Sequence, residues 1–142
     1  MSAMSNYLEG ALIDHLFRAT AYSHSSPGSW YIALLTAAFD EAGAGGTEVS
    51  TSATGYARVA VVRGTSTWTK TLSTNVYTVE NTSTITFGTP SANWGSVTHT
   101  AIYDALTSGN LVLQAQLQFA KTINNADPAP TFNAGELKFT FD

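Results

Sequence analysis

Three histidines are the residues best suited to metal binding or acid–base catalysis in this chain, but their spacing fits neither role. His15, His24 and His99 fall in different predicted elements, whereas zinc needs three or four ligands that converge. There is no cysteine to complete such a set. A Ser-His-Asp triad could be written with His99 and Asp104, but no Gly-x-Ser-x-Gly elbow is present to carry its serine. The sequence therefore predicts no catalytic residue, no metal and no cofactor.

A second group of residues has the chemistry of ligand binding. Trp68, with Lys70 nearby, is the best candidate for an exposed ring that stacks on the apolar face of a sugar. Asp40 and Glu41 adjoin a glycine-rich stretch but lack the alternating oxygen ligands and the fixed glycine of a calcium loop. These four residues are the candidate ligand or receptor contacts. The alternatives are core packing for the tryptophan and a solvated loop tip for the two carboxylates.

The composition excludes several classes of protein. The 142 residues carry a net charge of -4 with only six Lys and Arg, and binding to nucleic acid needs clustered basic side chains. No apolar run approaches the roughly 20 residues of a membrane helix, so no membrane insertion is expected. Met1 to Leu8 does not have the pattern of a signal peptide. We therefore expect synthesis in a cytoplasm.

One helix is predicted, over Asn6 to Tyr22, within an N-terminal segment 5–22. Asn6 and Glu9 have the spacing of a capping box, in which each side chain satisfies a backbone N–H group of the first turn. An apolar stripe follows at spacings of three and four residues, with Phe17 further round the helix; its candidate interface residues are Leu8, Leu12, Leu16 and Phe17. This surface packs either on the sheet of its own chain or on a neighbouring subunit.

The rest of the chain, 30–142, has the pattern of short strands. The central hairpin is predicted from Trp94 to Phe119, and its second strand alternates Leu111, Leu113, Ala115, Leu117 and Phe119 with Val112 and three glutamines. This period of two predicts that the first set lies on a buried face and the second set on a face exposed to water. Further strands are predicted at Trp30 to Thr36, Tyr56 to Arg63, Thr67 to Thr71, Tyr77 to Val79, Thr84 to Phe87 and from Leu137 onward. Ala37 to Thr54 is predicted to be a long flexible loop. The fold class is a mainly β, single-domain protein (1–142), an antiparallel β-sandwich or barrel of jelly-roll type with about seven or eight strands and an N-terminal helix.

A series of short matches, in order along nearly the whole chain, resembles small structural proteins of tailed bacteriophages that are commonly labelled tail fibre or minor tail proteins. The matching stretches are Ser5 to Glu9, Tyr31 to Leu34, Gly46 to Ser50, Gly55 to Val59, Trp94-Gly95, Val97 to His99, Gly109 to Leu111, Lys121-Thr122 and Ala134 to Leu137.

The resemblance implies a non-enzymatic virion component, made in the host bacterial cytoplasm and exposed on the assembled particle. Its expected partners are further copies of itself, as a homotrimer, and other virion proteins. Contacts are expected through the helix and through strand edges. Two alternatives stay open, namely a capsid decoration (cement) protein and a carbohydrate-binding module that recognises a host surface glycan.

Overall fold

The computed structural model describes residues 2–22 and 28–141 and shows antiparallel strands with one short helix. The helix α1 spans Asn6–Phe17. The strands are β1 (Ser2–Met4), β2 (Ser29–Ala37), β3 (Thr47–Glu48), β4 (Val59–Val62), β5 (Trp68–Ser73), β6 (Val76–Asn81), β7 (Ile85–Thr86), β8 (Gly95–Tyr103), β9 (Leu111–Ile123), β10 (Thr131–Phe132) and β11 (Lys138–Phe141). The predicted mainly β class is confirmed, and the arrangement of the sheets is consistent with a β-sandwich.

The large sheet has six strands and is built around β2. Its order is β1-β9-β8-β2-β3, and β4 pairs with the other half of β2. Residues Ile32 to Leu35 are at most 3% exposed because both faces of β2 are covered. An apolar run of this length without alternation is typical of such a strand. The predicted central position of this segment is confirmed.

Two smaller sheets complete the core. One has the order β11-β6-β5 and the other pairs β10 with β7. The main apolar cluster joins Ile32 and Ile102 of the large sheet to Ile85 of β7 and Phe139 of β11. Trp94 is also buried there, and its Nε1–H donates to the Thr54 carbonyl oxygen at 2.8 Å. The core thus lies between the sheets, as in a sandwich.

The central hairpin of β8 and β9 is confirmed, but the burial along β9 differs from the predicted alternation. Val112 and Gln114 were expected on the wet face and are buried. The segment at Phe39 covers this face, and the buried Gln114 amide is satisfied there because its Oε1 accepts from the Phe39 N–H at 3.0 Å. Phe119 was expected on the buried face and is 77% exposed. Val97 of β8 pairs with Lys121 of β9, and His99 pairs with Gln116. Between these pairs β9 has the four residues 117–120 and β8 only residue 98, so a bulge shifts Phe119 out of the alternation.

The helix begins at Asn6 as predicted, but its N-cap lies one residue earlier than expected and the helix ends sooner. Ser5, not Asn6, is the N-cap, and its Oγ accepts from the Leu8 N–H at 3.3 Å. The predicted extension to Tyr22 is wrong. Ala19 takes a φ of 54°, in the left-handed region, and the chain leaves the helical path there. Glycine is the usual sequence signal for such an end, and this position carries none.

The stretch from Ala37 to Thr54, predicted to be a long loop, is instead tied to the fold. It contains β3, and Val49 is 3% exposed. Arg58 fixes this segment further: its Nε and one terminal nitrogen donate to the two Glu48 carboxylate oxygens, at 2.9 and 2.7 Å. The other nitrogen donates to the carbonyl oxygens of Ala105 and Ser108 at 2.9 and 2.7 Å. One guanidinium thus joins β3 to the turn of the central hairpin.

Candidate functional site

The apolar side of α1 points away from the body of the protein. None of its residues is buried within the described structure. Leu8 is half-buried against the core, whereas the other apolar side chains are exposed by increasing fractions: Leu12 37%, Ile13 55%, Leu16 71% and Phe17 80%. Positions 12 and 16, and likewise 13 and 17, are four residues apart, and positions 13 and 16 are three apart, so the four side chains are neighbours on one surface of the helix. We call it the helix patch. Exposed apolar surface of this kind typically marks a site of association.

A second apolar surface lies where α1 meets the body. It is a cleft with a volume of about 340 Å³, which is within the range of ligand pockets. Its walls come from α1, from both of the larger sheets and from the segment after the helix, and include Leu8, Tyr22, Trp30, Trp68, Phe139 and Phe141. We call it the sheet cleft. Burial raises the pKa of the Tyr22 hydroxyl at its wall.

Two polar groups of the sheet cleft differ from its apolar walls. The Arg63 guanidinium lies 4.9 Å from the centroid of the Trp30 ring, and it takes part in none of the ion pairs found among residues 2–22 and 28–141. The Trp68 indole N–H is buried and has no hydrogen-bond acceptor in the described part of the chain. Sequence reasoning missed Tyr22, Trp30 and Arg63 as members of one site, because nothing in their spacing shows that the fold brings them together.

The four predicted ligand contacts do not form one site. Trp68 is half-buried in the wall of the sheet cleft rather than an exposed ring. Lys70 lies further along β5, with its Nζ 5.3 Å from the centroid of the Tyr77 ring. The Asp40 carboxylate accepts from the Ala44 N–H at 2.8 Å, within its own turn. Glu41 lines a different, more polar cleft of about 190 Å³. The four residues therefore lie in different surroundings, and their role as ligand or receptor contacts stays a prediction.

The histidines are also separate. His15 is exposed on α1, and His24 lies outside the described residues. His99 is half-buried, its Nδ1 lies 2.8 Å from Thr98 Oγ1, and burial lowers its pKa. Asp104 is fully buried and accepts from the Asn110 backbone and side chain at 2.7 and 2.8 Å. No cluster of three metal-ligating side chains occurs in the described residues.

These features define a mainly β protein whose short helix exposes apolar side chains. The sequence profile of the family Podophage GP4 fiber I protein gp80 matches residues 3–140. The chain belongs to this family of phage fibre proteins. No curated protein matches the sequence. Within the described residues, no helix is long and apolar enough to cross a bilayer. The protein is thus a fibre-type structural component of a phage virion, and it associates with other virion proteins.

Proposed function

We propose that this single-domain, non-enzymatic fibre protein assembles with itself through the helix patch, as a homotrimer exposed on the virion. The observation that carries the proposal is the exposure of Leu16 and Phe17, at 71% and 80%, at the end of a helix whose other side rests on the protein. Complete burial of such a side chain contributes about 1.5–3 kcal/mol. Two of them per copy, repeated by symmetry, can hold a closed oligomer together.

A strand edge supports the same proposal. β1 pairs with β9 only at Leu113 to Ala115. From Gln116 onward, no described strand pairs with this edge of β9, so its backbone N–H and C=O groups are open to pairing. Phe119 projects from the same stretch. We propose this edge as a secondary contact with a neighbouring subunit.

The test is the mass of the protein in solution as a function of concentration. Leu16→Asp places a charge in the helix patch at a position where the monomer loses little, because the side chain is already 71% exposed. We expect the wild-type protein to have three times the 15.0 kDa mass of the chain, and Leu16→Asp to have the mass of one chain. Thr71→Asp adds the same charge at an exposed position of β5 and serves as the matched control.

The result is read by light scattering, with circular dichroism to show that each variant is folded. A wild-type protein that is monomeric at every concentration would overturn the proposal. So would a Leu16→Asp variant that keeps the wild-type mass. A trimer lost in Leu16→Asp but kept in Thr71→Asp would support it.

A further inference from the structure

Taking the proposed self-assembly as its basis, we propose that the end of α1 from one copy seats in the sheet cleft of the next copy. The contact is then head-to-tail, between two different surfaces of the chain, rather than helix against helix. The occupant of the sheet cleft is the last turn of α1, with Leu16 and Phe17 inserted.

The apolar surfaces of the two sites complement each other. Leu16 and Phe17 are the most exposed apolar residues of α1, and the sheet cleft offers aromatic walls that include Trp30, Trp68 and Phe141. A projection and a cavity on different parts of one chain produce heterologous contacts. Such contacts give a ring when the rotation closes, so closure after three copies yields the proposed trimer.

The charges are complementary as well. The last turn of a helix leaves carbonyl oxygens without partners inside the helix and carries a partial negative charge. Arg18, the cation nearest to this turn, is already paired with the Asp14 carboxylate at 3.2 Å. Arg63 at the sheet cleft is in none of the ion pairs of the described chain, so its guanidinium is available to these carbonyl oxygens. A parallel bundle of three helices would instead bring three negative ends together.

The absence of cysteine from the chain makes disulfide trapping a direct test. Phe17→Cys marks the helix end. Gly64→Cys marks the sheet cleft, because Gly64 lines it and an added Cβ there has no neighbouring atom closer than 3.9 Å. The two single-cysteine chains, distinguished by a tag of known mass on one of them, are co-expressed and equilibrated in a thiol–disulfide buffer. Thermal unfolding of each reduced variant shows that it is folded.

We expect the mixed Phe17→Cys/Gly64→Cys disulfide to dominate, because a disulfide forms only where the two Cα atoms come within about 7 Å. Phe17→Cys co-expressed with Thr71→Cys is the control and should give only the background amount. A predominant Phe17→Cys homodimer, with no mixed species above background, would overturn the head-to-tail contact and leave the proposed helix-mediated assembly intact. If the wild-type protein itself is monomeric, both proposals fail.

A charge reversal gives an independent measurement on the protein without cysteines. Arg63→Glu should weaken association by about tenfold, since it exchanges a favourable contact with the helix end for a repulsive one. Lys70→Glu makes the same change in net charge on β5, where the side chain is exposed, and should leave association unchanged. Equal effects of the two variants would overturn the role of Arg63. A small apolar molecule found filling the sheet cleft of the oligomer by native mass spectrometry would also overturn the proposal.

Discussion

The ion pair between Glu48 and Arg58 helps to hold the Ala37 to Thr54 segment in place, and its removal tests how much it contributes. The two side chains are 20% and 8% exposed and make two hydrogen bonds to each other. Glu48→Gln keeps the size of the side chain and an acceptor oxygen, but it removes the negative charge. The Arg58 guanidinium is then left buried without a counter-ion.

Loss of one partner from a buried pair costs about 3–5 kcal/mol, and we expect about 3 kcal/mol here because Glu48 keeps some contact with water. This is a large part of the roughly 5–15 kcal/mol that stabilises a folded domain. With a urea dependence of about 2 kcal/mol per molar, the midpoint of unfolding should fall by about 1.5 M.

The control uses a second pair in the same molecule. The Lys138 Nζ lies 3.0 Å from a Glu80 carboxylate oxygen, but these side chains are 55% and 30% exposed. Water screens such a pair, so Glu80→Gln should cost about 0–1 kcal/mol. Equal midpoints for the Glu48 and Glu80 variants in urea denaturation, followed by circular dichroism, would refute the argument that burial makes the first pair important.

Two further predictions concern single side chains. Trp94→Phe should lower the free energy of unfolding by about 1–2 kcal/mol more than Trp68→Phe does. The first change loses a buried hydrogen bond to the Thr54 carbonyl oxygen, whereas the second removes a buried N–H that has no acceptor in the described residues. Similar urea midpoints for the two variants would contradict this. Burial lowers the pKa of His99 in the folded protein below its ordinary value of 6.5, which applies to the unfolded chain. Between the folded and the unfolded pKa the unfolded chain therefore binds more protons than the folded one, and the free energy of unfolding falls as the pH drops. His99→Gln should therefore reduce the loss of unfolding free energy between pH 7.5 and 5, and an unchanged loss would contradict the shift.

Much of the fold could be predicted from the sequence because the strand pattern is local. The two strands of the central hairpin, the buried run of β2 and the alternation of Leu137 with Phe139 each follow from the residue types within one element. Leu137 and Phe139 are 2% and 1% exposed, as a half-buried strand requires. The bulge at 117–120 could not be predicted, because it depends on how many residues of β8 face β9.

The candidate site was less predictable because its members come from distant parts of the chain. Trp68 was singled out for its polar neighbours in sequence, whereas in the fold it lines the same cleft as Trp30 and Phe139. Its place in the wall of the sheet cleft follows from the packing of the Trp68 side chain against the main apolar cluster. Arg63 has no local signal at all, since an exposed arginine at a strand end is common.

The orientation of α1 is the point at which the sequence left two possibilities open. The apolar residues at 12, 13, 16 and 17 could have packed on the sheet, and a helix in water gains most of its stability from such packing. Instead, the residues that approach the body are Tyr7, Leu8, Ala11 and Asp14, all of them half-buried. The more apolar side therefore faces solvent in an isolated chain. This orientation, in a member of a fibre family whose subunits associate with other virion proteins, is the reason we propose that a neighbouring subunit covers the helix.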